Sequence, residues 1–159
     1  MAIQFTVPGV RSFDLQHIVF DLNGTLAFNG HISEESVALL EQLCRLARLY
    51  VITADTHGTA PLIRKRLGHS VRVEVLAGEE TAKEKRQLVQ TLGSDLTAAL
   101  GNGANDMEML DESVLSFAIL GREGCYTPLL TKADIVVSDI HDALEMLLNP
   151  DRIRATLRR

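Results

Sequence analysis

The sequence predicts an α/β fold with a doubly wound parallel sheet, and three observations support this. Apolar runs of strand length alternate along the chain with segments of helical periodicity. The runs at residues 17–21 and 50–53 are apolar on both faces up to a polar last residue, as strands inside a parallel sheet are. No internal repeat or low-complexity linker breaks the alternation, so we expect one domain over residues 1–159.

The first elements are a hairpin, a strand, a helix and a second strand. The segment IQFTV alternates, Pro8-Gly9 is a turn dipeptide and FDL follows, which together predict a small N-terminal hairpin. Residues 17–21 then form a buried strand that ends at Asp21. Ser33 has the position of a helix N-cap because acidic residues and apolar residues at helical spacing follow it. The segment YVIT is the next strand.

The remaining elements continue the alternation. A helix is expected from about His57 to Leu67, with Gly68 after its end. The segment VRVEVL predicts a strand in a more exposed position, and ETAKEKRQLVQTLG predicts an amphipathic helix followed by Gly93. The segments TAAL, LSFAIL and DIVVS predict strands separated by short helices, and HDALEMLL predicts a helix that ends before Pro150.

Composition and charge argue against several kinds of partner. The formal net charge of −5 provides no general attraction for nucleic acid or anionic lipid, so we expect neither as a partner. No apolar run approaches the ~20 residues that span a bilayer, and no signal peptide is visible, so we expect a cytoplasmic protein. Cys44 and Cys125 lack the spacing of a zinc site or a disulfide framework. The basic end, DRIRATLRR, is expected to be a solvated tail or a helix C-terminus.

Polar residues follow three of the predicted strands. Asp21, Thr53 and Asn102 each lie at or just beyond the end of a strand. Ligands of parallel α/β sheets bind in the crevice at the carboxyl ends of the strands. These three side chains are therefore expected to converge on one site.

Each of these residues also has a structural explanation. An Asp at a strand end often forms a turn or caps a helix, and Thr53 could be a β-former with a satisfied hydroxyl. The segment GNG contains a common hairpin-turn dipeptide. Lys83 and Lys85 would ordinarily be surface charges with acidic neighbours on their helix. A shared site is favoured because the structural explanations would have to hold independently in four segments: the Asp21 strand end, the Thr53 strand end, the lysine helix and the GNG loop. It would then be a coincidence that these four segments occur in the order of one known motif pattern.

That pattern resembles the haloacid dehalogenase-like phosphotransferase superfamily over essentially the whole chain. DLNGTL resembles the D-x-D-G-T motif at the end of its first strand, with Asn23 in place of the second Asp. Thr53 matches the second motif, a helical Lys the third, and GNGANDMEML the G-D-G-x-x-D-like loop, with Asn102 in place of Asp. The resemblance implies a Rossmann-like core. Because few residues separate the first motif from the first helix, it implies a flap and no cap domain.

The resemblance narrows to P-type ATPases. The segments TADT, KRQLVQTLG and GNGAND are similar to those of their phosphorylation domains and place the motif lysine at Lys85, with Lys83 as the second choice. Ion transport is excluded for this chain alone because it has no transmembrane segment. The chain is therefore similar to the free-standing, P-type-ATPase-like group, in which D-x-N-G-T and G-N-G-x-N-D are typical. Capless members often act on large substrates or assemble so that a neighbour covers the site, which implies a homo-oligomer.

The resemblance implies a phosphatase or phosphotransferase that uses Mg²⁺ and forms an aspartyl-phosphate. Its substrate would be a phosphorylated small molecule or macromolecule. The implied catalytic residues are Asp21 as nucleophile, Asn23, Thr53 and Lys85. The implied phosphate-binding residues are Gly24, Thr25, Thr53, Ala54, Lys85 and Asn105. The implied metal ligands are Asp21, the Asn23 carbonyl, Asn102 and, as an outer-sphere partner, Asp106.

Asn23 has the largest consequence for the chemistry. In superfamily phosphatases the residue at this position is an Asp that protonates the leaving group, a contribution of roughly 10²–10⁴-fold. An amide has no proton to exchange, so we expect a slow enzyme. The alternative is a catalytically weak domain that binds phosphate compounds or a protein partner. Asp55 and His57 could line the pocket, although a loop or cap role for Asp55 and a surface position for His57 are the simpler interpretations.

Overall fold

The computed structural model describes residues 1–55 and 58–159. Its strands are β1 (Ile3–Val7), β2 (Arg11–Leu15), β3 (His17–Asp21), β4 (Arg48–Thr53), β5 (Val71–Val75), β6 (Thr97–Gly101), β7 (Leu115–Ile119) and β8 (Ile135–Val137). Its helices are α1 (Glu34–Leu43), α2 (Ala60–Leu67), α3 (Thr81–Leu92), α4 (Met107–Glu112), α5 (Leu129–Lys132), α6 (Ile140–Leu148) and α7 (Pro150–Leu157).

The central sheet has six parallel strands in the order β5-β4-β3-β6-β7-β8. Apolar residues of α1, α2, α6 and α7 belong to the core on one face, and those of α3, α4 and α5 belong to the core on the other. This is the doubly wound, Rossmann-like arrangement that the sequence predicts. The strand order reverses between β3 and β6, which makes the crevice between their carboxyl ends the expected ligand position.

Strand β3 is buried along its whole length. Ile18 and Phe20 point into one core and Val19 into the other, because successive side chains of a strand alternate between the two faces. The apolar run in the sequence therefore reflects a central strand covered on both sides. Its position fixes where the polar residue at its end, Asp21, enters the crevice.

The N-terminal hairpin forms as predicted and is covered by the C-terminal helix. Strands β1 and β2 pair antiparallel, and the rings of Phe5 and Phe13 stack with centroids 4.9 Å apart. Helix α7 lies against this hairpin: Ile153 is buried, and Arg154 Nε donates to the carbonyl of Thr6 at 3.1 Å. Of the two expectations for this segment, the helix forms over Pro150–Leu157 and the solvated tail is wrong for most of it, because an apolar residue inside the basic run anchors the helix.

Two further predictions concern helix and strand positions. Ser33 caps α1, since its side chain accepts a hydrogen bond from the backbone N–H of Ser36. Strand β5 is at the edge of the sheet and only its first residue is buried, as its alternating sequence predicts.

Helix α2 begins at Ala60, and His57 lies outside the described residues, as does the end of the TADT segment. Within the described ranges, no helix combines the length and apolarity needed to cross a membrane.

The connection between β3 and α1 is a short flap. It spans residues 22–33 and contains two isolated bridge pairs, Asn23 with Ala27 and Phe28 with His31. The tight turn after Asp21 is held by the carbonyl of Leu22, which accepts from the N–H of Ala27 at 2.8 Å. The flap has no room for a cap domain, in agreement with the prediction for this segment.

Candidate active site

The carboxyl ends of β3, β4 and β6 bring together the polar residues that the sequence singles out. Asp21 ends β3, Thr53 ends β4, and Asn102 follows β6, which is the direct neighbour of β3. Asp21 and Thr53 are buried, with 7% and 1% of their surfaces exposed. The site therefore lies at the reversal of strand order.

Lys85 lies between two carboxylates at the centre of this site. Its Nζ is 2.8 Å from Asp21 Oδ1 and 2.8 Å from Asp106 Oδ1. The side chain of Lys85 is 1% exposed, whereas Lys83 is 63% exposed and pairs with Glu80 on its own helix. Of the two candidate lysines, Lys85 is the one that the fold brings to Asp21.

The charges of this cluster do not balance, because two carboxylates share one ammonium group. Burial and the charge of Asp106 raise the pKa of Asp21 to about 7, although Lys85 acts in the opposite direction. Burial alone would lower the pKa of Lys85, but the charges of Asp21 and Asp106 outweigh it and raise that pKa above its ordinary value. The cluster would therefore be stabilised by one more positive charge.

Asp106 is fixed by the backbone of the loop after β6. Its Oδ2 accepts hydrogen bonds from the N–H groups of Asn102 at 3.0 Å and Gly103 at 2.9 Å. Gly101 makes this approach possible, since a Cβ on that residue would lie 2.5 Å from the Asp106 Cβ. Both oxygens of Asp106 have hydrogen-bond partners, which fits an outer-sphere position better than direct contact with a cation.

Thr25 and Asn102 form the side of the site opposite Lys85. Thr25 Oγ1 lies 3.1 Å from Asn102 Oδ1 and 3.5 Å from Asp21 Oδ2. A hydroxyl has one hydrogen and can satisfy only one of these oxygens at a time. Gly24 has φ +80°, and a Cβ there would lie 2.3 Å from Asn102 Nδ2, so only glycine permits this contact. Asn102 Nδ2 donates to the carbonyl of Gly124, which turns the amide oxygen towards Thr25.

The backbone N–H groups of Gly24 and Thr25 are used within their own turn. They donate to the carbonyls of Ala27 at 2.9 Å and Leu22 at 3.3 Å. A phosphate-binding role for these two residues would therefore depend on the shape of the turn and on the Thr25 hydroxyl. Their role as phosphate ligands stays a prediction.

Asn105 lies beside Lys85, with its Oδ1 3.4 Å from Lys85 Nζ and its Nδ2 3.3 Å from Thr81 Oγ1. The contact with Thr81, at the start of α3, holds the Asn105 amide beside Lys85, and the role of Asn105 in binding phosphate stays a prediction. No sequence motif points to Thr81, since a Thr at a helix start is ordinary. The Gly124 carbonyl is another contact that the sequence does not reveal.

The loop after β4 is arranged around Thr53. Thr53 Oγ1 accepts from the N–H of Asp55 at 2.9 Å, so its own hydrogen points elsewhere and is available to a ligand. Asp55 adopts φ +54°, and its Oδ1 accepts from the N–H of Ala60 at 3.0 Å. Asp55 thus has the loop-bonding role that the sequence favours. Ala54, between them, is exposed.

Asn23 contains an unusual polar atom. Its Oδ1 is buried and has no hydrogen-bond donor among the described residues. A buried amide oxygen without a donor costs about 1–3 kcal/mol. Such an atom two positions after Asp21 is a candidate acceptor for water or a bound molecule.

The donor set fits a hard divalent cation, because it consists of carboxylate and amide oxygens. Asp21 Oδ2 and Asn102 Oδ1 share a single donor in Thr25, and a cation would satisfy both oxygens at once. Across the described residues, no three His, Cys, Asp or Glu side chains form a metal-binding group. A cation held here would therefore depend on Asp21, amide and backbone oxygens, and water.

Comparison with solved structures identifies the fold. A 3-deoxy-D-manno-octulosonate 8-phosphate phosphatase from Moraxella catarrhalis, in complex with magnesium, phosphate and the sugar acid, matches with TM-score 0.67 and 17% identity over 91% of this chain and 94% of that one. The cobalt-bound form of the deoxy-D-mannose-octulosonate 8-phosphate phosphatase from Haemophilus influenzae matches with TM-score 0.70 and 14% identity, over 91% of this chain and 94% of that one. A phospho-aspartyl intermediate analogue of phosphoserine phosphatase matches with TM-score 0.62 and 17% identity, covering 82% of this chain and 98% of that one.

These neighbours confirm the predicted fold, a Rossmann-like haloacid dehalogenase core. Comparison of the sequence with known proteins provides less information than comparison of the structures. No protein-family model matches the chain. An uncharacterized protein of Methanocaldococcus jannaschii is 45% identical over 60 residues, which are 38% of this chain and 64% of that protein. The chain thus spans less than two thirds of the length of this relative.

Proposed function

We propose that this protein is a Mg²⁺-dependent phosphatase or phosphotransferase that acts through an aspartyl-phosphate on Asp21. The observation that carries the proposal is the buried triangle in which Lys85 Nζ lies 2.8 Å from both Asp21 and Asp106 at the reversal of strand order. The fold neighbours that are phosphatases support it. One of them was captured as a phospho-aspartyl analogue and another with magnesium and phosphate.

The chemistry assigns a task to each group. A carboxylate oxygen of Asp21 attacks phosphorus, the bond from phosphorus to the ester oxygen breaks, and an aspartyl-phosphate forms. Lys85 and the Thr53 hydroxyl stabilise the charge on the phosphoryl oxygens. Water then attacks phosphorus, phosphate leaves, and the carboxylate is regenerated. An alcohol in place of water would give phosphoryl transfer.

Mg²⁺ would be held by Asp21, the backbone carbonyl of Asn23 and Asn102, with Asp106 in the outer sphere. When bound, it supplies the positive charge that the cluster lacks and offsets the repulsion between the phosphoryl group and Asp21. Because Asn102 replaces a carboxylate with an amide, it retains an oxygen ligand and loses one negative charge. We therefore expect weaker metal binding than a carboxylate at this position would give.

Asn23 makes the proposed enzyme slow towards unactivated esters. The leaving oxygen has to take its proton from water, because an amide cannot donate one as a carboxylic acid does. The buried, unpaired Asn23 Oδ1 can instead accept a hydrogen bond from a water or an alcohol and hold it near phosphorus. A long-lived aspartyl-phosphate is the expected result, in keeping with the resemblance to the P-type-ATPase-like group.

The second candidate is a weakly active domain that binds phosphate compounds or a protein. The two amides, Asn23 and Asn102, are the observation in its favour. Against it is the cost of burying Asp21, Lys85 and Asp106 together, since apolar residues would give an equal or better core. A domain that binds only a protein partner has no chemical need of this triangle, and a domain that only binds phosphate needs Lys85 but no nucleophile at Asp21.

The proposal also covers the oligomeric state of the protein, its domain and its cellular compartment. The flap leaves the site without a cap, so we propose a homo-oligomer with a phosphorylated substrate, in which residues 1–159 form one domain. Cys44 and Cys125 are free thiols, which suits the reducing cytoplasm that we propose as its compartment.

The test is phosphate release from p-nitrophenyl phosphate with Mg²⁺, compared between the parent protein and Asp21→Asn. We expect turnover to be lost in Asp21→Asn and retained in the matched control Asp111→Asn, which removes a carboxylate from the exposed surface of α4. Acid-quenched protein should carry one acid-stable, hydroxylamine-sensitive phosphoryl group, absent in Asp21→Asn. Mg²⁺-dependent turnover that is equal in both variants would refute the assignment of Asp21. No Mg²⁺-dependent turnover at all would favour the second candidate.

A further inference from the structure

A basic groove lies at the end of the sheet opposite Asp21. Two adjoining clefts, of about 460 and 700 Å³, meet at His69 and Arg72. Arg48 at the start of β4 lines the first cleft, and Arg64 and Lys65 of α2 line the second. We define these five residues as the basic groove.

The net charge around the groove has the opposite sign to the net charge of the whole protein. Residues 45–72 contain six of the sixteen Lys and Arg residues and only one of the twenty-one acidic residues, Asp55. Within the part of the chain that the structure describes, Arg48 and Lys65 form no ion pair, and Arg72 pairs with Glu74 at 2.7 Å. The rest of the chain therefore carries more negative charge than the net value suggests, and the segment that supplies the groove residues carries an excess of positive charge.

Helix stability explains only part of this pattern. Arg64 and Lys65 are in the last turn of α2, where cations interact favourably with the helix dipole. Arg64 also donates to the carbonyl of Val73 at 3.2 Å, which satisfies a polar atom of the edge strand. Neither effect accounts for Arg48 and Arg72, which belong to strands: Arg48 lines the first cleft and Arg72 lines both.

Exposed apolar side chains close in sequence to the groove residues indicate the kind of partner. Leu62 is 68% exposed and lies one turn before Lys65 on α2, and Leu46 next to the first cleft is 40% exposed. Among the lining residues that the structure describes, the rings are those of Tyr50, which is only 9% exposed, and His69, which is exposed, so the groove offers a single accessible ring and no row of them for stacking bases. Basic groups beside exposed leucines suit carboxylates beside apolar side chains better than a nucleic acid.

We propose that the basic groove binds an acidic segment of another protein, in which carboxylates alternate with leucine-like side chains. The carboxylates pair with Arg48, Lys65 and Arg72, and the apolar side chains contact Leu46 and Leu62. Because the groove is at the amino ends of β4 and β5, this binding leaves the crevice at Asp21 open. The proposal does not depend on the proposed phosphatase activity.

The experiment measures fluorescence anisotropy with a fluorescein-labelled peptide of repeated Glu-Glu-Leu, at low and at physiological salt. The test variant is Arg48→Gln with Lys65→Gln and Arg72→Gln. The matched control is Arg122→Gln with Arg158→Gln and Arg159→Gln, which removes the same charge elsewhere. Circular dichroism and thermal unfolding check that both variants keep the fold, and a Gln-Gln-Leu peptide, a single-stranded RNA and phosphatidylserine vesicles are compared as probes.

We expect the peptide to bind the parent protein with an affinity that falls as salt rises. Three exposed ion pairs of modest strength predict about tenfold weaker binding to the test variant and little change for the control. Equal weakening in both variants, or equal binding of the Gln-Gln-Leu peptide, would overturn the proposal. So would tighter binding of the RNA or the vesicles than of the acidic peptide.

Discussion

Replacing Asn23 with Asp puts a carboxyl group where a buried amide oxygen has no donor among the described residues. The two side chains have nearly the same shape, so the flap should keep its turn. The new carboxyl follows Asp21 by two residues, and Asp21 belongs to a cluster that already has more negative than positive charge. We expect burial and these like charges to raise the pKa of the new carboxyl above its ordinary value, which favours the protonated form that a general acid needs.

The expected gain is that of a general acid. Proton donation to the leaving oxygen contributes roughly 10²–10⁴-fold, which corresponds to about 2.7–5.4 kcal/mol of the barrier. An alkyl phosphate should show most of this gain because its leaving alkoxide is strongly basic. An aryl phosphate with a weakly basic leaving group should gain less than about tenfold.

The assay compares alkyl-phosphate and p-nitrophenyl-phosphate turnover with Mg²⁺ in the parent protein and in Asn23→Asp. Asn29→Asp is the matched control, since Asn29 is an exposed residue of the same flap and the charge change is identical. We expect the ratio of alkyl to aryl turnover to rise only in Asn23→Asp. An unchanged ratio in a folded variant would refute the view that Asn23 limits the proton transfers.

Three other perturbations test the site. Lys85→Met leaves two buried carboxylates without their cation and should lower the free energy of unfolding by about 3–5 kcal/mol, measured by urea denaturation. Lys83→Met on the exposed face of α3 should change it by less than about 0.5 kcal/mol, and equal losses would contradict the burial argument. Gly101→Ala places a Cβ 2.5 Å from that of Asp106 and should abolish most turnover, whereas Gly103→Ala meets its nearest atom at 3.3 Å and should keep most of it. Similar activities in the two glycine variants would contradict the packing argument for Asp106. Chelation with EDTA should stop turnover and Mg²⁺ should restore it, so turnover that survives chelation would disprove the metal requirement.

Much of the site was accessible from the sequence because its residues follow buried strands. The apolar run before Asp21 predicts a central strand, and the parallel arrangement then places Thr53 and Asn102 at the same edge. The sequence identifies the active-site lysine less clearly, because both candidates, Lys83 and Lys85, belong to one polar helix. The structure brings Lys85 inwards, since a helix that packs against the sheet can direct only one of the two towards β3.

Other features depend on contacts between distant segments. Thr81 faces Asn105, and Gly124 accepts from Asn102, although neither has a local signal in the sequence. The basic C-terminal segment forms a docked helix because Ile153 finds an apolar surface beside the N-terminal hairpin. Such contacts join residues far apart in the chain, so local propensity cannot predict them.

The sequence by itself determined the order of the elements, the doubly wound sheet and the polar residues at the strand ends. Periodicity and turn residues are local properties, and they suffice for these features. Only the tertiary structure decided that Lys85 pairs with two buried carboxylates at once, that Asn23 Oδ1 is buried without a donor among the described residues, and that basic residues of two strands and a helix line one groove. These are matters of burial and convergence, which arise when segments pack together in space.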